Sequence, residues 1–382
     1  MNCFVKESYG VIWHFYHNTH GICYCKMTDE NITEYQVLLP DGQEDFDVLV
    51  DDSNCIHMVF QNKEGDILYA NHFNAQWRKT TLLKSKSQGY YPKNFVLRRV
   101  NNWLNLLYCI EYNGRKMLTH QIIDGTEGTP YVIDCIKDGF CAAQDSSGNI
   151  TALFYSETQK SWGFRRYVWS KKEWADFVPL NQLENCCNTF LFIDRDDNIH
   201  IVYDRESCVY EYCNNTEKMI GTGQKPIMLF QRDNIIMWEG ITDNKIYVKK
   251  EGDNAPTVIM SGGFSKPARF KLRYTTYEQD LCADCCTGNI INGSVRVYGV
   301  NNFFAVSHTS PVSLKASESD NTDNTAYMEM QKLKVRISQL NGIIERLQSQ
   351  MEEYDAKKID RRLKELETAV NKTYKTKFLG LF

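Results

Sequence analysis

The sequence lacks any long apolar run. No window contains the roughly 18 to 20 uninterrupted apolar residues that a membrane-spanning helix needs, and the mean hydropathy is −0.47. It also lacks an excess of one charge, because 44 Lys and Arg residues face 48 Asp and Glu residues, for a net charge of −4. Nucleic-acid-binding domains are typically much more basic. These absences predict a protein with no membrane span and no nucleic-acid partner.

A secretory signal is also lacking at the N-terminus. Residues 1–17 contain no basic start followed by an apolar stretch and a small-residue cleavage site. We therefore expect synthesis in the cytoplasm, where cysteines remain thiols. Assembly on a spore or another extracellular structure is an open alternative.

Catalytic motifs are missing as well. The sequence contains no glycine-rich phosphate loop, no nucleophile elbow and no paired-histidine metal motif. Asp194, Asp196 and Asn198 have the spacing of a calcium loop, but the glycine and the glutamate that such a loop requires do not follow. We interpret this segment as a solvated turn. The sequence predicts a protein that is not an enzyme, with no catalytic residues, no cofactor and no metal.

What the sequence does contain is a repeat. A turn rich in Asp, Ser, Asn and Gly precedes an apolar and aromatic run at intervals of about 40 to 50 residues, which is the period of an array or a propeller. Turn residues of this kind favour tight turns, and the runs that follow have the composition of buried strands. The clear copies are 51–60, 145–154 and 194–203, and the weaker ones are 101–108 and 232–238.

The repeat predicts an all-β fold. Three to four short strands fit into each period, which describes one blade of a β-propeller over residues 1–303. Dividing about 300 residues by about 43 gives seven blades. The last blade, near residues 263–303, shows no repeat signature, so six blades are the alternative.

On these residues a resemblance to known proteins arises. The Asp-x-x-x-Asn-Ile turns and the Gln76–Trp77 segment resemble sialidase-like and lectin-like β-propellers, and they are most similar to clostridial propeller proteins of unknown function. The Gly-x-Thr-Trp ending of the sialidase Asp-box is missing from every copy. The resemblance therefore implies the fold and no catalytic residues.

The C-terminal region has a different pattern. Residues 304–325 read as a polar linker, and 326–371 as a coiled-coil helix with a phase break near 355–358, followed by an apolar tail over 372–382. Apolar residues alternate at intervals of three and four, which is the coiled-coil criterion. The predicted oligomerisation residues are Met330, Leu333, Ile337, Leu340, Ile344, Leu347, Met351 and Tyr354. We expect self-association as a dimer or a trimer, with a single helix packed on the propeller as the alternative.

Two sets of residues are candidates for function. His57 and His200 occupy equivalent repeat positions, and Trp77, Trp103 and Trp238 are spread over the blades as sugar-stacking platforms would be. For both sets the alternative is a structural role between blades.

The candidates for thiol crosslinks, among 14 cysteines, are Cys186, Cys187, Cys282, Cys285 and Cys286. No second cysteine or histidine pair lies at the spacing of a zinc site.

Together these features predict a non-catalytic, oligomeric structural or interaction protein that presents a propeller on a coiled-coil stalk. Its binding would gain from multivalency. The first alternative is a multivalent carbohydrate-binding lectin with a protein or glycan ligand on the propeller. The second is a sialidase-like glycoside hydrolase, which requires two carboxylates in one pocket.

Overall fold

The computed structural model describes residues 2–297 except for 9–10, 28–32, 74–75, 86–90, 124–128, 232, 242–244, 261–267, 275–280, 283–284 and 292–293. All of them belong to the first of two compact units, Met1–Pro311. The predicted linker, coiled coil and apolar tail lie outside the described residues. In the described part of the chain, no helix has the length and apolar character needed to cross a membrane.

The secondary structure is almost entirely β. The strands are β1 (Asn2–Lys6), β2 (Ile12–Asn18), β3 (Gly21–Met27), β4 (Gln36–Leu39), β5 (Gly42–Val50), β6 (Ile56–Asn62), β7 (Ile67–Phe73), β8 (Gln76–Leu83), β9 (Val96–Val100), β10 (Trp103–Tyr112), β11 (Arg115–Ile123), β12 (Tyr131–Gln144), β13 (Ile150–Ser156), β14 (Ser161–Val168), β15 (Glu173–Trp174), β16 (Val178–Pro179), β17 (Cys187–Ile193), β18 (Ile199–Arg205), β19 (Cys208–Cys213), β20 (Thr216–Thr222), β21 (Gln224–Gln231), β22 (Asp233–Glu239), β23 (Lys245–Lys250), β24 (Thr257–Met260), β25 (Ala268–Tyr274), β26 (Leu281–Cys282), β27 (Cys286–Ile291) and β28 (Ser294–Val297). One 3₁₀ turn spans Asn181–Leu183.

The strands form six antiparallel units within the described residues. Units 1, 2, 5 and 6 are β1–β4, β5–β8, β17–β20 and β21–β24, and each is a simple meander. Units 3 and 4 share the long strand β12, which pairs with β11 from Tyr131 to Ile136. It pairs with β13 at Ile136 and, after a register shift, from Phe140 onward. Unit 3 is therefore β9–β12 and unit 4 is β12–β16, in one continuous sheet.

Apolar packing arranges the six units in a ring. Side chains alternate along each strand, so that Cys3 and Val5 face unit 2 whereas Phe4 faces unit 6. Separate buried clusters join units 2 and 3, 3 and 4, 4 and 5, and 5 and 6. Burial on both faces explains why the strands read as near-continuous apolar runs in the sequence. This closed arrangement is a six-bladed propeller and agrees with the alternative count of six.

The predicted seventh blade is not a separate unit. β25, from the segment expected to form it, pairs in parallel with β1, and β27 and β28 extend the same sheet. The short strand β26 pairs with β21 of unit 6. The ammonium group of Lys271, on β25, lies 3.1 Å from a carboxylate oxygen of Asp47 in unit 2 and donates to the carbonyl oxygen of Phe95 at 3.1 Å. The segment thus contacts units 1, 2 and 6, each of which has four strands without it.

Candidate functional site

An open cleft lies where units 3 and 4 join. It has a volume of about 600 Å³ and is lined by Glu111, Gly114, Arg115, Lys116, Cys135, Ile136, Lys137, Glu157 and Thr158. Three segments form its walls: the β10–β11 turn of unit 3, the crossing portion of β12, and the β13–β14 turn of unit 4. Clefts of roughly 300 to 1,000 Å³ are the usual size of small-molecule sites.

The first wall is a tight hairpin. Asn113 and Gly114 connect β10 to β11 with φ of 52° and 69°, the positive values that a two-residue type I′ turn requires. The backbone N–H of Glu111 donates to the hydroxyl of Tyr91 at 2.9 Å. The short turn and this bond fix Glu111 and Arg115 on the two strands of the hairpin, close to the turn.

The opposite wall is tied to β12. The backbone N–H of Glu157 donates to the carbonyl oxygen of Cys135 at 2.8 Å. The hydroxyls of Ser156 and Thr158 donate to the two carboxylate oxygens of Asp134 at 3.1 and 3.3 Å. Because the turn is held to the strand at three points, Glu157 keeps its place relative to the first wall.

Charged side chains of both signs line this cleft. Glu111, Arg115, Lys116, Lys137 and Glu157 form no side-chain hydrogen bond or ion pair with another described residue. Three cations and two carboxylates leave the lining with a net charge of about +1 at neutral pH. The cleft therefore offers both hydrogen-bond donors and acceptors to a polar ligand.

One exposed aromatic ring lies in the first wall, and a lysine of the lining contacts another. Tyr112, at the end of β10 and opposite Arg115 in the hairpin, is 69% exposed. The ammonium group of Lys137 lies 5.6 Å from the ring centroid of Tyr155 on β13. Exposed tyrosines provide flat apolar faces with a hydroxyl for hydrogen bonding.

The two predicted histidines have structural partners. His57 Nδ1 lies 2.7 Å from the hydroxyl of Tyr69, and its Nε2 lies 3.4 Å from Asp51 Oδ2. His200 is buried between Asp194 and Glu211, at 2.9 Å from each carboxylate. Burial alone would lower the pKa of His200, but the hydrogen bonds to Glu211 and Asp194 outweigh it and raise that pKa. Neither histidine reaches the cleft between units 3 and 4.

The three predicted tryptophans lie in different environments. Trp238 is only 2% exposed and its indole N–H donates to the carbonyl oxygen of Thr222, which makes it a core residue. Trp77 is half-buried and packs edge-on against Trp13 at the junction of units 1 and 2. Trp103 is 40% exposed, with the Lys172 ammonium 5.5 Å from its ring centroid. Trp103 is the most exposed of the three.

The predicted crosslinking cysteines differ in accessibility. Cys187 is exposed and Cys285 is partly exposed, whereas Cys186 and Cys286 are buried. The thiol of Cys186 packs in the core between units 4 and 5, and that of Cys286 in the core between units 6 and 1. These two thiols lie within the fold, and the side chain of Cys282 lies outside the described residues.

The repeated turns, in contrast, connect neighbouring units. In each clear copy the first Asp accepts hydrogen bonds from backbone N–H groups of its own turn. Further bonds link successive turns: Ser8 to Asn54 between units 1 and 2, and Ser146 to Asp197 between units 4 and 5. This agrees with the interpretation of 194–198 as a turn.

Sequence reasoning did not find the cleft. Its residues come from three separate segments, 111–116, 135–137 and 157–158, and none of them lies in a repeat turn. The one available signal was the Asn113–Gly114 pair between two apolar runs, which marks a hairpin but not a ligand.

Comparison with known proteins gives a likeness of fold. The sequence matches no model of a known protein family, and no curated protein matches it. Among solved structures, the six-bladed propeller lectin of Aleuria aurantia is similar at 8% identity and a TM-score of 0.42, over 68% of this chain and 93% of that one. The BP39L lectin of Burkholderia pseudomallei is similar at 10% identity and a TM-score of 0.46, over 65% and 81%. An ulvan lyase is similar at 11% identity and a TM-score of 0.47, over 68% and 80%. Likeness at this level says nothing about ligands.

Proposed function

We propose that the protein binds carbohydrate in the cleft between units 3 and 4. The observation that carries this proposal is a cleft of about 600 Å³ whose five charged side chains form no hydrogen bond or ion pair with the residues that the structure describes. A saccharide presents many hydroxyls that donate and accept at the same time, so it can pair with Glu111 and Arg115 together. An apolar ligand would leave those charges desolvated without partners, which is costly.

The chemistry of the lining also indicates the type of saccharide. The net charge of about +1 favours a sugar that carries a carboxylate, since Arg pairs with a carboxylate through two parallel hydrogen bonds. The exposed ring of Tyr112, opposite Arg115 in the hairpin, provides an apolar face for the C–H side of a sugar ring. We therefore expect uronate-containing or other acidic glycans to bind more tightly than neutral ones.

A glycan array that includes neutral and acidic saccharides tests the proposal on the full chain. The best ligand is then titrated calorimetrically with the wild type and with Arg115→Ala and Glu111→Gln. Each of these changes removes a charge-assisted hydrogen bond, and we expect each to lower the affinity by about tenfold or more.

Arg78→Ala is the matched control, because Arg78 is an exposed arginine on β8 of unit 2, away from the cleft. We expect it to bind like the wild type. A blank array, or equal losses in all three variants, would refute carbohydrate binding at this cleft.

A second candidate function follows from the two carboxylates. Glu111 and Glu157 line the same cleft, and glycoside hydrolases use a pair of carboxylates on either side of the scissile bond. Release of reducing ends from any glycan that binds, abolished in Glu111→Gln, would convert the proposal from a lectin to a hydrolase.

We also propose that the C-terminal coiled coil makes this binding multivalent. The support for this step is the spacing of apolar residues from Met330 to Tyr354 in the sequence. Two or three tethered clefts would raise the avidity for a repetitive glycan surface through effective concentration. A role as a component of a spore or surface layer would rest on the same multivalency.

A further inference from the structure

The three clear copies of the repeated turn share one arrangement. In each, Oδ1 of the first Asp accepts the backbone N–H of the residue four positions later, at 2.9 Å for Asp51 and 2.8 Å for Asp145 and Asp194. This bond closes the turn and orients the second carboxylate oxygen, Oδ2, toward the strand that follows. The copies differ in what meets Oδ2.

In units 4 and 5 an asparagine satisfies that oxygen. The side-chain amide of Asn149 donates to Asp145 Oδ2 at 2.9 Å, and that of Asn198 donates to Asp194 Oδ2 at 3.0 Å. In unit 2 the same position is Cys55, and its thiol points to the carbonyl oxygen of Ile56 at 3.9 Å. Where units 4 and 5 have an amide that donates a hydrogen bond to Oδ2, unit 2 therefore has a thiol, whose sulfur can bind a metal ion.

The histidine on the strand that follows the turn also has different contacts in units 2 and 5. In unit 5 both ring nitrogens of His200 are engaged by carboxylates, at 2.9 Å from Asp194 and 2.9 Å from Glu211. In unit 2 only Nδ1 of His57 has a short contact, with the Tyr69 hydroxyl at 2.7 Å. Its Nε2 faces Asp51 Oδ2 at 3.4 Å, longer than a good hydrogen bond.

We propose that Asp51, Cys55 and His57 form a binding site for a divalent metal ion of the Zn²⁺ class. One ligand atom from each residue lies within 4.8 Å of the other two. Tetrahedral Zn²⁺ with bonds of about 2.0 to 2.1 Å to oxygen and nitrogen needs those two atoms about 3.3 to 3.4 Å apart. The observed separation of 3.4 Å between Asp51 Oδ2 and His57 Nε2 matches that edge.

The surroundings suit a bound metal. With Nε2 bound to the metal, Nδ1 of His57 carries the ring proton and donates a hydrogen bond to the hydroxyl of Tyr69. A hydrogen-bond partner of this kind orients most metal-binding histidines. Binding deprotonates the Cys55 thiol and releases that proton to solvent, so the carboxylate and the thiolate neutralise the ion. The nearby Arg99 is paired with Asp52 at 2.7 Å. Asp51 and His57 are partly exposed, which leaves the fourth position to water.

The test uses Co²⁺ as a spectroscopic substitute for Zn²⁺ in the reduced, chelator-treated full chain. We expect binding of one equivalent, with the absorption band that marks a thiolate–cobalt bond, and a rise in Tm on metal addition. Cys55→Asn installs the residue that units 4 and 5 carry at this position, so it is expected to fold. It should lose the thiolate band, the Tm rise and at least about a hundredfold in affinity, more than the loss of an outer-shell partner costs.

The matched control is Cys282→Ser/Cys285→Ser, which removes the Cys-x-x-Cys pair of the sequence. This double variant should retain the band and the affinity of the wild type. Absence of a band in the wild type, or a band that survives Cys55→Asn, overturns the proposal. Loss of the band in the double variant also overturns it and assigns the metal to that pair instead.

Discussion

Acid should destabilise this fold through a buried neutral histidine. His120, on β11, is 4% exposed and lies between two fixed partners. The indole N–H of Trp174 donates to its Nδ1 at 3.2 Å, and its Nε2 lies 3.1 Å from the amide oxygen of Asn105. This pattern holds one tautomer of the uncharged ring, because Nδ1 must accept and Nε2 must donate. A protonated Nδ1 could not accept the hydrogen bond of the Trp174 indole.

The size of the effect follows from the pKa of the ring. Burial lowers the pKa of His120 from an ordinary value of 6.5 to about 4. Between pH 6.5 and pH 4 the ring is protonated in the unfolded chain but not in the folded protein. The free energy of unfolding therefore falls as the pH falls below about 6.5 and levels off below about 4. From pH 7 to pH 5 the loss from this residue is about 2 kcal/mol. Burial lowers the pKa of His14 to about 4 as well, so it adds a loss in the same direction.

Urea unfolding at pH 7 and pH 5 measures this loss. We expect the drop in the free energy of unfolding to be about 2 kcal/mol smaller in His120→Gln than in the wild type. His20→Gln, at an exposed position between β2 and β3, should keep the wild-type drop. An unchanged drop in His120→Gln would mean that the ring is not the acid-sensitive group, and the argument from its partners would fail.

Two other predictions concern how the chain is held together. Asp47 is 0% exposed, so Lys271→Met removes an ammonium group 3.1 Å from a buried carboxylate and should lower the free energy of unfolding by about 3 kcal/mol. Lys225→Met, which breaks a more exposed pair with Glu239, should cost less than about 1 kcal/mol, and equal costs would refute a fastening role for β25. Light scattering of the full chain should give the mass of a dimer or a trimer, whereas a monomer would refute the predicted coiled coil.

The repeat in the sequence predicted the equivalence of strands well. His57 and His200 were matched from the pattern alone, and each lies second in the second strand of its unit, opposite Leu49 and Phe192 of the first strand. The pattern works because the turn and the buried strand are local features, set by side chains within about ten residues.

The number of blades was harder to predict, for a physical reason. The residues of β25 and β28 have the composition of blade strands, but composition does not specify which strand a segment pairs with. The inner edge of β1 offers β25 a ladder of backbone hydrogen bonds in parallel orientation. A segment with strand propensity takes that edge without forming a unit of its own. Strand type was therefore predictable, whereas the pairing partner was not.

The two proposed sites lie at opposite ends of the strands, and this separates their functions. Cys55 lies directly before the second strand of unit 2, on a turn that belongs to the connected series of Ser8–Asn54, Asp52–Arg99 and Ser146–Asp197 contacts at one end of the ring. Glu157 lies directly after the second strand of unit 4, so the cleft opens at the other end. Turns that bond to their neighbours have little freedom to change, because each substitution disturbs two units. At the cleft, the β13–β14 turn bonds instead to β12, the strand that units 3 and 4 share. A metal in the unit 2 turn would then stabilise the ring without touching the ligand site, since no described contact joins Asp51 to the residues of the cleft.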